Sequence, residues 1–368
     1  MKKICLVVGA RPNFVKVAPI IRAIERIGGA TCQLVYAGSE TDPTLEPSLF
    51  DDLQMRHPDV FLGVESQSLN EITAQVIAAF DSYLDRQPAD VVIVVDDLAS
   101  TMAAAITAKK RGVKLAHLVA GTRSFDISMP KEVNRLVIDA LSDYLFTAGI
   151  KSNSVATREQ QSESSQTYMV GNILMDTLRY NHPRFTPPSF AATLCQPASY
   201  IVLTLNRRAL LADEPQLKQM LLTLISETAD LPIVAPLRAE ALGVVVRLLD
   251  TLATETPGFN LLPSKLLLQT SLPYLEFGWL TANARGIITD SGNVAEEATF
   301  NGVPCITLNS YTEHQETVTV GTNVLVGGDS VKFGTYLRDM VAGSWKPSAL
   351  PDRWDGRTAE RIVQILLQ

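Results

Sequence analysis

Short apolar runs alternate along this chain with longer stretches of helical periodicity. Ile4–Val8, Cys32–Tyr36, Val91–Val95 and Lys114–Val119 are predicted strands. Phe14–Ile27, Leu69–Leu84 and Thr101–Arg111 are predicted helices between or beside them. Strands that are apolar on both faces belong in a parallel sheet with helices on both sides. Tyr168–Val170 reads as the last strand of the first half. A stretch from Asn181 to Pro197 follows, with Pro183, Pro187, Pro188 and Pro197, and reads as the seam between domains. The same alternation then restarts. Tyr200–Leu205, Ile233–Pro236, Gly286–Thr289 and Cys305–Leu308 are predicted strands, and Pro215–Glu227 and Thr358–Leu367 are predicted helices. The expected fold is α/β: two doubly wound Rossmann-like domains facing across a cleft, over 1–180 and 190–349. In such sheets ligands bind outside the carboxyl ends of the strands, so the loops there carry the candidate chemistry.

Composition narrows the function classes. The 368 residues carry 32 Lys+Arg and 39 Asp+Glu, a net charge of −7 that disfavours nucleic acid as a partner. The apolar start Ile4–Val8 is too short for a signal peptide, and no apolar run approaches the roughly 18 residues of a membrane span. The four cysteines, Cys5, Cys32, Cys195 and Cys305, are scattered and read as reduced thiols. The expectation is a cytoplasmic protein with no membrane span.

Four strand ends hold the candidate residues. Gly9-Ala10-Arg11-Pro12 opens a helix that brings Arg11 and Lys16 to a turn suited to an anion, against the alternative of an ordinary turn with solvated cations. Asp96 and Asp97 close the β-branched run Val91–Val95. They suit acid/base work, or cap the helix that starts near Leu98. Beyond His117 and the turn Val119–Arg123, Pro130 starts a helix that sets Glu132 and Arg135 on one face, a site pair or a surface ion pair. His117, inside an apolar strand, reads as a hydrogen-bonded core histidine. Thr289-Asp290-Ser291-Gly292-Asn293 joins a strand to a helix and offers backbone N–H groups to a phosphate, with Glu297 placed to accept from a ribose diol. The alternative there is a Ser-capped helix with an exposed acidic first turn.

Taken in order, Gly9–Pro19, Ala120–Arg123, Pro130–Arg135, Gly171-Asn172, Thr289–Glu297 and Gly302–Pro304 resemble the motifs of the UDP-N-acetylglucosamine 2-epimerases. The resemblance runs over nearly the whole chain. It implies a GT-B type fold in which a C-terminal helix at about 350–368 joins the first domain. It implies a UDP-sugar in the interdomain cleft, no cofactor, no metal and a homodimer. It places Arg11, Lys16 and Arg135 by the nucleotide, Phe277 beside the uracil, Ser291 and Gly292 at the diphosphate and Glu297 at the ribose. The family reaction inverts C2 of the sugar by eliminating UDP to a glucal and adding it back. Asp97 and Glu132 match two of the family's catalytic residues.

Two other catalytic positions differ. Val119 stands where the family has a Glu, and Asn206 stands where it has a His. Neither replacement can carry a proton near neutral pH. His314, beside Glu313, replaces an Arg that would help hold the diphosphate, and Arg207 is a further candidate at that end. The allosteric segment of many bacterial members is absent at Tyr36–Asp42. Three readings follow: a UDP-GlcNAc 2-epimerase, a catalytically degenerate UDP-sugar-binding homologue, or a GT-B enzyme with an altered reaction such as glycosyl transfer.

Overall fold

A computed structural model describes residues 1–45, 47–160, 163–191, 196–228, 231–255 and 265–368. The chain divides into two compact units. Unit 1 is Met1–Tyr180 with Asp352–Gln368, and unit 2 is Asn181–Pro351. Cys195 lies outside the described residues, while Cys5, Cys32 and Cys305 are free thiols. Among the described residues no helix is long and apolar enough to cross a membrane.

Unit 1 is built on seven strands: β1 (Lys2–Val8), β2 (Ala30–Tyr36), β3 (Val60–Phe61), β4 (Val91–Val95), β5 (Lys114–Leu118), β6 (Tyr144–Thr147) and β7 (Gln166–Met169). They form one sheet in the order β3-β2-β1-β4-β5-β6-β7, with every pair parallel. Its helices are α1 (Arg11–Ile27), α2 (Pro47–Leu53), α3 (Leu69–Arg86), α4 (Ala99–Lys110), α5 (Pro130–Leu141), α6 (Ile150–Arg158) and α7 (Ile173–Asn181), with the C-terminal helix Thr358–Leu367. All five residues of β4 are buried, as a central parallel strand requires.

Two local solutions shape this unit. Pro19 sits inside α1 and has no N–H to give to the carbonyl of Val15. Thr177 of α7 donates to that carbonyl at 2.5 Å instead, which ties α7 to α1. The C-terminal segment completes the core: Trp354, Ile362 and Val363 are fully buried, and the indole N–H of Trp354 donates to Ala148 O at 3.1 Å.

Unit 2 has six strands, β8 (Ile201–Thr204), β9 (Ile233–Leu237), β10 (Leu266–Thr270), β11 (Gly286–Thr289), β12 (Cys305–Thr307) and β13 (Asn323–Leu325). Their order is β10-β9-β8-β11-β12-β13, again all parallel. Pro236 is tolerated in β9 because the ladder with β8 stops at Val234, so its missing N–H is not needed there. The strand order reverses between β1 and β4 in unit 1 and between β8 and β11 in unit 2. Those switch points are where doubly wound sheets open a crevice.

Some expectations need correction. The strand read as Lys114–Val119 ends at Leu118, because Val119 turns into the left-handed region at φ 74°. No aspartate caps α4. Its N-cap is Leu98, whose N–H is taken by Thr101 Oγ1 at 3.0 Å. Both aspartates are engaged elsewhere, as described next.

Candidate functional site

In unit 1 the candidate residues converge at the carboxyl ends of β1, β4 and β5. Gly9 follows β1, and a Cβ there would lie 2.0 Å from Ser100 Oγ and 3.1 Å from Leu98, so the turn packs closely against the start of α4. Asn13 accepts from Gly9 N at 3.0 Å and donates to Asp96 Oδ2 at 2.9 Å. Lys16 is buried and pairs with Asp96 Oδ1 at 2.6 Å, so it is not a solvated cation. Arg11 is half-buried in the first turn of α1.

Asp97 faces α5. Arg135 donates to its Oδ2 through Nε at 2.8 Å and Nη2 at 2.5 Å, Lys131 lies 3.5 Å from Oδ1, and Asn134 holds its carbonyl at 2.8 Å. Burial pushes this carboxyl up, but Lys131 and Arg135 outweigh it and hold it below the usual carboxylate range. Asp97 is therefore ionised and able to accept a proton.

Glu132 and Arg135 are 2% and 4% exposed, so the surface ion pair is excluded. Glu132 accepts from Ser124 N at 2.8 Å, Ser124 Oγ at 3.0 Å, Phe125 N at 3.0 Å and Arg135 Nη1 at 3.1 Å. Burial raises its pKa, yet the Ser124 and Phe125 amides bring it below the ordinary value. Four donors on two oxygens make Glu132 a clamp on the 124–125 turn.

The same face of α5 carries Asp139, which the sequence reading passed over. It accepts from Gly121 N at 3.1 Å, pairs with Arg123 at 2.7 Å and meets His117 Nδ1 at 2.5 Å. His117 Nε2 lies 2.9 Å from the carbonyl of Asp96, an acceptor only, so that nitrogen carries a proton. His117 is thus a satisfied core residue. It joins the turn after β4, where Asp96 has φ 58°, to the turn after β5, where Val119 and Gly121 both have φ 74°. A Cβ on Gly121 would meet Ser152 O at 2.1 Å.

In unit 2 the corresponding residue is Asp290, 1% exposed at the end of β11. Its Oδ2 accepts from Asn206 N and Arg207 N, each at 2.7 Å, and so shapes the loop after β8. Its carbonyl accepts from Asn309 Nδ2 at 3.1 Å. This anchor was missed although it stands in a quoted motif; the signal is an Asp directly at a strand end. Ser291 is the N-cap of the helix Gly292–Asn301 but makes no side-chain cap bond, and no atom lies within 4 Å of where a Cβ on Gly292 would sit. The positive end of this helix is therefore accessible to an anion.

The acidic first turn expected to be exposed is buried. Glu296 and Glu297 are 4% and 7% exposed. Burial, with Glu296 beside it, pushes Glu297 up to about 8. His314 is buried with Nε2 3.7 Å from Glu296 Oε1. Glu313 is exposed. Arg207 sits 5.7 Å from the Tyr311 ring centroid. Phe277 is half-buried in the helix Tyr274–Ala282, against the core that contains Ile287 and Cys305. Among the described residues no group of three or more His, Cys, Asp or Glu side chains is placed to hold a metal ion.

The sequence profile of the UDP-N-acetylglucosamine 2-epimerases matches residues 22–367. This chain belongs to that family. Its relatives include the UDP-N-acetylglucosamine 2-epimerase of Methanocaldococcus jannaschii, 31% identical over 99% of this chain and 98% of the relative. They also include the UDP-2,3-diacetamido-2,3-dideoxy-D-glucuronate 2-epimerase of Pseudomonas aeruginosa, 30% identical over 99% of each chain. The crystal structure of the Methanocaldococcus jannaschii enzyme in complex with UDP-GlcNAc and UDP is similar at a TM-score of 0.82, with 30% identity and 99% coverage of each chain. In this family member, then, the two strand-end clusters carry the resemblance read from the motifs, and Val119 and Asn206 occupy the turns that Asp139 and Asp290 hold in place.

Proposed function

We propose that this protein binds a UDP-N-acetylhexosamine and inverts C2 of its sugar by elimination and re-addition of UDP. The supporting observation is Asp97, an ionised, largely buried carboxylate fixed by Arg135 and Lys131 at the switch point of unit 1. Both Arg135 donors go to its Oδ2, while Oδ1 meets Lys131 at 3.5 Å, which leaves Oδ1 room to take a proton. In the proposed reaction Asp97 takes the proton from C2 while the C1–O bond breaks and UDP departs. The base serves only if the diphosphate is stabilised as it leaves. The roles divide by unit. Unit 2 supplies the diphosphate seat at Ser291 and Gly292, the ribose acceptor Glu297 and the uracil contact Phe277, with His314, Glu313 and Arg207 nearby in sequence or space. Unit 1 supplies Asp97, with Arg11, Lys16 and Arg135 on the nucleotide's side. The protein acts as a cytoplasmic homodimer in the synthesis of surface polysaccharide, without a cofactor.

A second reading is favoured by a specific observation. Inversion needs a proton removed from one face and returned to the other. Glu132 is committed to four donors, three on Oε2 and one on Oε1, which fix it to the 124–125 turn, and Val119 and Asn206 supply no proton. A homologue that binds the UDP-sugar and leaves it unchanged satisfies the same unit 2 geometry. Incubation with UDP-GlcNAc separates the two. Formation of UDP-ManNAc establishes the epimerase, whereas ligand lines that broaden on adding protein without any product establish the binding homologue.

A further inference from the structure

A cavity of about 620 Å³ lies within unit 1, walled by α1, α7 and the C-terminal helix. Four arginines line it: Arg22, Arg26, Arg179 and Arg357. Pro19, Ala23, Gly356 and Ala359 put small side chains into the wall, which leaves space between the three helices. The volume suits a small ligand.

The charge balance of this cavity is positive in a chain whose net charge is −7. Its two carboxylates are already committed. Glu360 pairs with Arg26. Asp176 accepts from Thr358 N at 3.0 Å and Ala359 N at 2.8 Å, capping the C-terminal helix. Arg22 is laid over the Tyr180 ring at 3.9 Å and donates to Leu53 O at 2.8 Å, so its guanidinium is held in one orientation. Arg179 is braced by Asp355 O at 2.8 Å. Among the described residues neither Arg179 nor Arg357 has a carboxylate partner. Braced guanidinium groups around a concave site are the chemistry that recognises phosphate.

We propose that this cavity is a second ligand site, for a small phosphorylated metabolite carrying at least two negative charges. It is separate from the residues assigned to the reaction and does not depend on that assignment. Its position gives it a regulatory character. Arg179 and Tyr180 are the last residues before the chain passes into unit 2, and Gly356 and Arg357 come shortly after it returns at Asp352. An occupant restrains both connecting segments at once.

Calorimetric titration of the full-length protein with inorganic pyrophosphate, in the presence of saturating UDP, tests this. The expected result is saturable binding that weakens at least tenfold in R179A/R357A, with amide-exchange protection at 173–181 and 354–361. Arg357→Glu alone, at an exposed side chain, guards against misfolding and should weaken binding similarly. If UDP itself fails to bind, the comparison of wild type with Arg357→Glu still localises the heat. Absence of saturable heat, or equal affinity in wild type and both variants, would overturn the proposal.

Discussion

At the residue scale, Val119 is the most telling position. A β-branched side chain at φ 74° is strained by about 1–3 kcal/mol. The backbone is held there by Ala120 N and Val119 N, which both donate to Phe146 O at 3.0 and 3.1 Å. Val119→Gly should therefore raise stability by about 1 kcal/mol in chemical denaturation; a loss of stability would show that the valine side chain offsets its own strain. Glu297 makes a second prediction. The folded protein keeps its proton up to about pH 8, whereas the unfolded chain releases it near the ordinary 4.5. The stability this group contributes is full below 4.5 and is lost as pH rises through about 8. Glu297→Gln should flatten the pH dependence of unfolding across that window, and an unchanged profile would rule out the raised titration. Neither feature is written in sequence. Position 119 reads as one more apolar residue of a strand, and burial of Glu297 follows from packing that the Ser-Gly-Asn motif does not reveal.

At the element scale, α5 organises the unit 1 site. Glu132, Arg135 and Asp139 lie along one face and, with Asn134 beside them, hold three turns: Glu132 the 124–125 turn, Asn134 and Arg135 Asp97, and Asp139 the turn at Gly121. Removing the imidazole in His117→Ala strips Asp139 of a buried partner and frees the Asp96 carbonyl. The expected cost is about 3 kcal/mol in denaturant unfolding, whereas a surface-like cost near zero would mean the dyad is replaceable. The strands of both switch points were legible because β1, β4 and β11 are continuous apolar runs bounded by Gly or Asp. β3 was not, being two residues long. The pairing of Lys16 with Asp96 joins residues 80 positions apart, which no local pattern encodes. Asp139 stands four residues after Arg135, a helical spacing, but spacing alone does not say which turn a side chain meets.

At the scale of the whole molecule, two sheets with the same strand order place an aspartate at equivalent switch points, Asp96 after β4 and Asp290 after β11. In each, the carboxylate shapes the turn after the first strand of its unit, through Asn13 in one and the Asn206 and Arg207 amides in the other. UDP should accordingly protect amides around 205–208 and 289–297 from exchange. The discontinuous make-up of unit 1 has its own consequence. Deleting 352–368 removes Trp354, Ile362, Val363 and Leu366 from its core. At roughly 1.5–3 kcal/mol for each buried side chain, that loss is comparable to the whole stability of a typical domain, about 5–15 kcal/mol. Amide exchange in β1 and β4 of the truncated chain should lose its protection while that in β8 and β11 persists, and unchanged protection in β1 and β4 would show that the segment is dispensable.

The role of Asp97 as the base at C2 is tested most directly by proton NMR of UDP-GlcNAc with the protein in D₂O, comparing wild type with Asp97→Asn. Deuterium should enter C2 with wild type and not with the variant, while both still broaden the uracil lines. Exchange that survives Asp97→Asn, or its absence from a wild type that binds the nucleotide sugar, would contradict the assignment.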